Sequence, residues 1–356
     1  MVLPEQRGGD WRPSEMGEDR GGVLIGLLRF VLAVAALSYA LGMGAYFAGL
    51  AAGLGRSGSL ALLREFTLYL FTPLPLLLLA ALVLRARAAL VLSLLPLAAF
   101  VWAYGPQLVP QSPPAVAGPH LRVLTFNTGG NVGGGQQAPL LRTIQAVDAD
   151  LVALQEVPPA TEDALPDALA ATYPYHVGTT DTLVLSRWPL EAEGEFRLQD
   201  AGYLAHQVAV SVGDRTLLHT NVHVTRPSYR VRWRRGLVPL VRGFSPGWRD
   251  AQVEDLVARL QATDGPRLLT GDFNETEWSY PYERLHSVLG DSFREAGAGF
   301  GHTYPSHLRW GGWTLSVPLV RIDYVFHSPE LVALHAAVGP DGGSDHLPVV
   351  ADLAFR

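Results

Sequence analysis

From residue 23 to residue 54 the chain carries a single charge, Arg29, and a run so apolar cannot be solvated along its length. It exceeds the ~20 apolar residues that cover a bilayer core, whereas halving it leaves two pieces too short to cross. One membrane helix is therefore expected over 23–54, tilted or loosened at Gly42, Gly44, Gly49 and Gly53. A cleaved leader peptide is the rival reading, but its apolar core runs only ~7–15 residues. Two more apolar stretches follow. Residues 68–84 contain Pro73 and Pro75 as expected kink sites, and residues 88–104 end in Trp102 and Tyr104, side chains that favour the headgroup region.

Charge sets the expected orientation. Arg85 and Arg87 form a tight turn between the last two stretches, which marks that turn as cytoplasmic. The tail, residues 1–22, mixes acids with Arg7, Arg12 and Arg20, lacks apolar periodicity and is read as mobile and cytoplasmic. The loop bearing Arg56 and Arg64 then lies outside, against the bias of its own arginines. Three crossings over 23–104 place everything beyond Tyr104 outside the cytoplasm, in a multi-pass protein of the cell membrane.

Most of the apolar excess sits before residue 105, so the positive mean hydropathy of +0.17 describes the front of the chain. The net charge of −6 argues against wholesale electrostatic binding to nucleic acid and leaves room for a local basic patch. Zero cysteines exclude disulfides, thiolate nucleophiles and cysteine-ligated metals.

Residues 105–119 hold five prolines and no helical or strand period, the pattern of a semi-extended tether. From 120 to 356 strand-like and helical runs alternate. Helices are expected at 139–147, 161–171, 248–261 and 282–289, and strands include 182–186 and a hairpin of 207–212 with 216–223 around Gly213-Asp214. Such alternation predicts a single α/β domain without internal repeats.

The chemistry sits where those strands end. Gly271-Asp272-Phe273-Asn274 follows the apolar run 267–270, and strand ends hold side chains rigidly while their loops expose them. Alone it reads as an Asx turn. Five other polar sites share its context: Asn127 ends 121–126, Glu156 ends 151–155, His223 lies in 217–224, Asp323 lies in 321–326, and Asp345-His346 precede 349–353. Each has a plain structural alternative, a turn cap for Asn127, a helix-entry acid for Glu156 and a core histidine for His223. Asp323 differs, because a carboxylate in an apolar strand is costly unless paired. Glu156, Asp272 and Asp345 with the amides of Asn127 and Asn274 form an oxygen-rich set suited to Mg²⁺ or Mn²⁺ rather than zinc.

In order, Leu124-Thr125-Phe126-Asn127, Gln155-Glu156, Leu185-Ser186-Arg187-Trp188-Pro189, Asn221-Val222-His223, Gly271-Asp272-Phe273-Asn274, Arg321-Ile322-Asp323-Tyr324 and Gly343-Ser344-Asp345-His346 resemble the endonuclease/exonuclease/phosphatase superfamily, the deoxyribonuclease-I-like group. The resemblance spans 120–356. The apolar region resembles, more loosely, the multi-span front end of some bacterial members. It implies a four-layer α/β/β/α sandwich behind a three-span α-helical membrane region, and Mg²⁺- or Mn²⁺-dependent hydrolysis of a phosphate ester. It also implies roles: Glu156 as main metal ligand, Asn127 as ligand or support of the ligand shell, and Asp345 as a second acid near the metal. Asp272 would position or deprotonate the attacking water, Asn274 would fix that water or a phosphate oxygen, and His223 would donate to the phosphate. His346 would pair with Asp323, and the base is either Asp272 or that pair.

Two features bear on substrate. Between Arg226 and Arg249 seven arginines are interleaved with Tyr229, Trp233, Phe244 and Trp248, which suits nucleic acid, anionic lipid headgroups or a solvated face. Trp310-Gly311-Gly312-Trp313 either dips into a bilayer interface or folds back over the core. Hydrolysis of a phosphodiester or phosphomonoester outside the cytoplasm is the leading expectation. A nuclease acting on DNA or RNA, and a catalytically silent scaffold at the membrane, are the alternatives. Among the other histidines, His302 is expected to border the cleft.

Overall fold

The computed structural model describes residues 15–56, 58–109, 111, 115–129, 137–179, 181–234, 238–310 and 312–356. The chain divides into two compact units, one made of residues up to Ala52 with Leu68–Ala103, the other of Gly53–Thr67 with Tyr104–Arg356.

In the first unit α1 (Glu15–Ala51) begins ahead of the expected span, so residues 15–22, read as mobile, are helical; residues 1–14 lie outside the described residues. After α2 (Gly58–Glu65), which belongs to the second unit, the expected span 68–84 is broken into a 3₁₀ turn, Thr67–Phe71, and α3 (Pro73–Val83). Pro73 and Pro75 start this helix instead of kinking it, because a proline ring is compatible with the first turn, where amide hydrogens lack partners anyway. α4 (Arg87–Tyr104) completes the set. Ala36, Ala81, Ala86 and Ala89 are buried together, small side chains that let helices approach closely. By length and composition two helices can cross a membrane, Gly21–Ala51 and Arg87–Leu108, with a third span only if the bent pair Gly58–Glu65 and Thr67–Val83 counts as one.

The second unit is a mixed α/β domain rich in sheet. Its strands in chain order are β1 (His120–Asn127), β2 (Leu151–Gln155), β3 (Tyr175–Gly178), β4 (Thr182–Ser186), β5 (Leu190–Arg197), β6 (Leu204–Val212), β7 (Arg215–His223), β8 (Ser228–Arg234), β9 (Val238–Ser245), β10 (Arg267–Asp272), β11 (Gly290–Asp291), β12 (Leu308–Trp310), β13 (Trp313–Leu315), β14 (Asp323–His327), β15 (Leu331–Val338) and β16 (Val349–Phe355). They build two six-stranded sheets, β15-β16-β1-β2-β4-β3 and β11-β14-β10-β7-β6-β5, plus the hairpins β8-β9 and β12-β13. The helices α5 (Gln137–Val147), α6 (Pro159–Leu169), α7 (Trp248–Gln261), α8 (Tyr280–His286) and α9 (Ser292–Ala296) lie between them in sequence.

Three apolar clusters follow from alternation along these strands. One joins inward residues of both sheets, Val123 and Leu353 with Val208, Leu217 and Leu268. A second joins β1, β2 and β4 to α5 and α6 through Leu124, Leu154, Ile144 and Leu165. The third joins β7, β10 and β14 to α7 and α8 through Val222, Leu269, Phe326, Leu256 and Leu285.

The register places the chemistry. β1 and β2 run parallel with Asn127 opposite Gln155, and β7 and β10 run parallel with His223 opposite Asp272. β14 is antiparallel to β10, so its first residue, Asp323, meets the last of β10, Asp272. A polar bridge crosses between the sheets at this end, where Gln155 Nε2 donates to Asn221 Oδ1 at 2.7 Å and Asn221 Nδ2 donates to the Leu154 carbonyl at 3.0 Å.

Part of the expected tether is docked. Residues 105–108 form a 3₁₀ turn, Gly105–Leu108, and the Gln107 carbonyl accepts from the Gly299 amide at 2.7 Å.

Candidate active site

Gly271 shows why this sequence is needed at the site. Its φ is +151°, and a Cβ there would sit 1.9 Å from the Val222 carbonyl oxygen, so only glycine lets β10 pass β7 just before Asp272. Glu156 and Asn274 also take positive φ, 51° and 52°, immediately after β2 and two residues after β10.

Glu156, Asp272, Asn274, Asp345 and His346 line one cleft of about 560 Å³. Behind it Asn127, fully buried, donates from Nδ2 to Asp272 Oδ2 at 2.9 Å and to Glu156 Oε1 at 3.1 Å, and its Oδ1 accepts from the Gly129 amide at 2.9 Å. That arrangement favours Asn127 as the support of the acids over Asn127 as a ligand. The Asn274 amide N–H bonds Asp272 Oδ1 at 2.8 Å, and its side chain donates to Asp272 Oδ2 at 3.2 Å and to the Val224 carbonyl at 2.9 Å.

Among the described residues His223 Nε2 is buried without a hydrogen-bond partner, 3.5 Å from Glu156 Oε1 and 3.8 Å from Asp272 Oδ2. The three ligand atoms lie within 4.8 Å of one another. Two carboxylate oxygens converging with an imidazole nitrogen on one point fit a divalent cation, an imidazolium or the two in succession. A second group, Asp272, Asp323 and His346, meets the same distance criterion through the shared Asp272. Asp345 borders the cleft but is exposed, and it belongs to neither group among the described residues.

Burial and charge tune these groups in opposite senses. Burial pushes Asp272 up to about 6, against the lowering influence of His346 and His223. His346 is buried too, which disfavours its charged form. Asp323 at 2.9 Å and the negative charge of Asp272 outweigh that and carry it up to about 10. His223 is likewise raised, burial being overcome by its bond to Asp181 and by the charges of Asp272 and Glu156.

Four participants were assigned no role from sequence. Asp181 Oδ2 meets His223 Nδ1 at 3.2 Å, and Tyr203 stacks on the His223 ring with centroids 3.7 Å apart. Tyr304 packs against the His346 ring at 4.8 Å, and Ser344 donates from Oγ to the Asn127 carbonyl at 2.8 Å. Asp181 had a usable signal, an acid directly flanking the apolar strand 182–186. His302, expected at the cleft, instead borders a different cavity with Phe293 and Leu334, because its Nδ1 is held by the Pro318 carbonyl at 3.1 Å. Trp313 is 76 % exposed and does not fold back over the core, while the Trp310 side chain and those of residues 231–243 lie outside the described residues. Within the arginine-rich stretch, Ser228–Arg234 and Val238–Ser245 pair as the β8-β9 hairpin.

Known proteins place the fold. A solved endonuclease/exonuclease/phosphatase family protein from Bacteroides thetaiotaomicron superposes with a TM-score of 0.51 at 17% identity, covering 68% of this chain and 97% of that one. An endonuclease/exonuclease/phosphatase from Beutenbergia cavernae gives 0.46 at 22% identity, covering 67% and 72%. D. rerio TDP2, solved in complex with single strand DNA product, gives 0.49 at 14% identity, covering 66% and 99%. Comparison with curated proteins gave no match. The profile of the Endonuclease/Exonuclease/phosphatase family matches residues 124–346, so the chain belongs to that family.

Proposed function

We propose that this protein is a membrane-anchored, Mg²⁺- or Mn²⁺-dependent phosphoesterase whose catalytic domain lies outside the cytoplasm. The observation that carries the reading is the gathering of Glu156, Asp272, Asn274, Asp345 and His346 around one cleft from strand ends up to 190 positions apart. The architecture of the reading is a four-layer α/β/β/α sandwich, supported by one apolar cluster between the sheets and one between each sheet and its helices.

A phosphate ester repels nucleophiles, so hydrolysis needs positive charge on its free oxygens and a base for water. A bound cation, held by Glu156 with Asp272 or Asp345, would supply Lewis acidity at the phosphoryl oxygens. His346, held protonated by Asp323, donates a hydrogen bond to a phosphoryl oxygen rather than taking a proton. Asp272 accepts the proton of the attacking water, with Asn274 fixing the carboxylate through both of its oxygens. This favours Asp272 over the His346–Asp323 pair as base. His223 donates to a second phosphoryl oxygen, and Asp181 holds its ring.

The topology reading is supported by parity. Gly53–Thr67 shares a compact unit with Tyr104–Arg356, which supports an even number of crossings by the chain between them. With α1 crossing once from a cytoplasmic tail, the proposed topology has the domain outside.

A panel of DNA, RNA, phospholipid and inositol phosphate, run with Mg²⁺, Mn²⁺ and chelator, identifies the ester and separates general phosphoesterase from nuclease. Glu156→Ala and Asp272→Ala are each expected to cut metal-dependent turnover roughly 10²–10⁴-fold. Unchanged turnover in both defeats the reading, and no metal-dependent turnover on any member of the panel leaves the silent scaffold.

A further inference from the structure

The segment between the first two apolar stretches reaches the catalytic loop. Glu65, at the end of α2, is only 7% exposed. Its Oε1 accepts from Arg249 Nη2 at 2.7 Å, and its Oε2 accepts from the Thr276 amide and the Thr276 hydroxyl, both at 3.2 Å. Arg249 is 2% exposed and passes the contact on, donating from Nη1 to the Asn274 carbonyl at 3.0 Å. Asn274 then holds both oxygens of Asp272. The neighbouring Arg64 grips the far end of the same loop, donating from Nε to the Trp278 carbonyl at 2.6 Å, and forms an ion pair with Glu283. Two adjacent residues thus clamp the loop at Asn274, Thr276 and Trp278, more than 200 positions away in sequence. Phe66, next in the chain, lines the cleft itself and is 40% exposed.

We propose that Glu65 is a positioning residue that sets the Asp272–Asn274 geometry through Arg249 and Thr276, and that Phe66 forms part of the wall against which the substrate's ester group lies. The inference rests on the phosphoesterase reading of this cleft. Its physical basis is that a buried guanidinium must keep an anion. Without Glu65, Arg249 turns toward Asp250, whose Oδ1 stands 3.7 Å from Nε, and releases the Asn274 carbonyl. Asn274 holds a positive φ, and without the Arg249 bond to its carbonyl it can relax and carry with it the Asp272 carboxylate, to which its amide and side chain are bonded. The catalytic domain therefore includes a piece of chain bracketed by apolar helices.

The test uses the full chain in detergent with bis(4-nitrophenyl) phosphate and Mn²⁺, with a thermal melt for each variant. Glu65→Ala is expected to lower kcat about 10- to 100-fold with KM little changed, since small misplacements of a base cost that much. Phe66→Ala is expected to raise KM several-fold with kcat retained. The double variant Glu65→Met/Arg249→Met removes this ion pair as a unit while Asp250 and Glu275 stay; its melting temperature lies above that of Glu65→Ala while kcat stays low, because the Asn274 carbonyl still lacks its donor. A double variant that recovers kcat with its melting temperature makes the pair merely structural and overturns the proposal, as does wild-type kcat in Glu65→Ala. An unchanged KM in Phe66→Ala overturns the wall assignment. If Glu65→Ala does not fold, the double variant decides. Glu156→Ala in the same assay keeps the two readings apart: if it is inactive while the Glu65 variants are normal, only the positioning role fails, and if it is active, the cleft itself has been misread.

Discussion

Asp272 and Asp323 face each other across β10 and β14, and the imidazole of His346 lies between them, Nδ1 2.9 Å from Asp323 and Nε2 3.8 Å from Asp272. Two buried carboxylates on adjacent strands repel, and one imidazolium relieves both. The pair is therefore a charge arrangement as much as a catalytic one.

Asp323→Asn tests it. His346 titrates near 10 when folded and near 6.5 when unfolded. A raised folded value means the stabilisation is fully present below pH 6.5 and is lost as pH rises through about 10. The variant should lose about 3–5 kcal/mol at neutral pH, and its alkaline loss of stability between pH 6.5 and 10 should shrink. Turnover should fall roughly 10²–10⁴-fold. An NMR titration of His346 together with urea midpoints across that range reads both effects, and an unmoved His346 titration contradicts the arrangement.

The acids and histidines at strand ends were readable because their spacing follows from alternation: an apolar run of five or six residues ends at a fixed place, and the next polar residue belongs to its mouth. β5 was unreadable for the converse reason. It is an edge strand, five successive residues of which are exposed, so Glu191, Glu193 and Glu195 carry no apolar period. Asp181, Tyr203 and Tyr304 were missed because they lie outside the named strands and reach the site beside His223 and His346. Glu65 sits in a stretch that sequence alone assigns to the space between membrane helices, and nothing local marks an acid whose partner lies 184 positions on.

Asp291 and Arg321 form a second buried pair, at 2.6 and 3.0 Å, with the Tyr282 hydroxyl donating to the same carboxylate at 2.8 Å. Burial works to raise Asp291, but Arg321 outweighs it and holds the group down to about 2. A depressed acid stabilises the fold above its unfolded pKa, near 3.8, and that contribution is lost as pH falls through about 2. Asp291→Asn should cost about 3–5 kcal/mol at pH 7 and less at pH 2. Urea midpoints at the two pH values check it; an equal cost at both means that the charge is not what stabilises.

Gly271→Ala should be far worse than its size suggests. The methyl would lie 1.9 Å from the Val222 carbonyl oxygen, at a φ of +151° that alanine resists, so β10 must separate from β7 where Asp272 meets His223. Loss of more than about 4 kcal/mol is expected, together with loss of turnover in any protein that folds. A melting temperature within a few degrees of wild type contradicts the close approach.

The Gln155–Asn221 bridge makes the most discriminating case, because it lies between the sheets, one residue before Glu156 and two before His223. Asn221→Leu removes one acceptor of Gln155 Nε2, which keeps Thr125 Oγ1 at 3.0 Å and the Ala153 carbonyl at 3.2 Å, and takes the side-chain donor from the Leu154 carbonyl, at a cost of about 1–3 kcal/mol. Gln155→Leu/Asn221→Leu removes both polar side chains, but the Leu154 carbonyl still lacks the Asn221 donor, so stability should return only in part. Turnover should not. Packed leucines restore cohesion between the sheets without the directional bond that fixes how the ends of β2 and β7 face each other, and Glu156 Oε1 and His223 Nε2 stand 3.5 Å apart only while that facing holds. A double variant more stable than Asn221→Leu but with reduced kcat is the expected result, read by urea denaturation and steady-state kinetics on one preparation. Recovery of both together would show that apolar packing alone aligns the site.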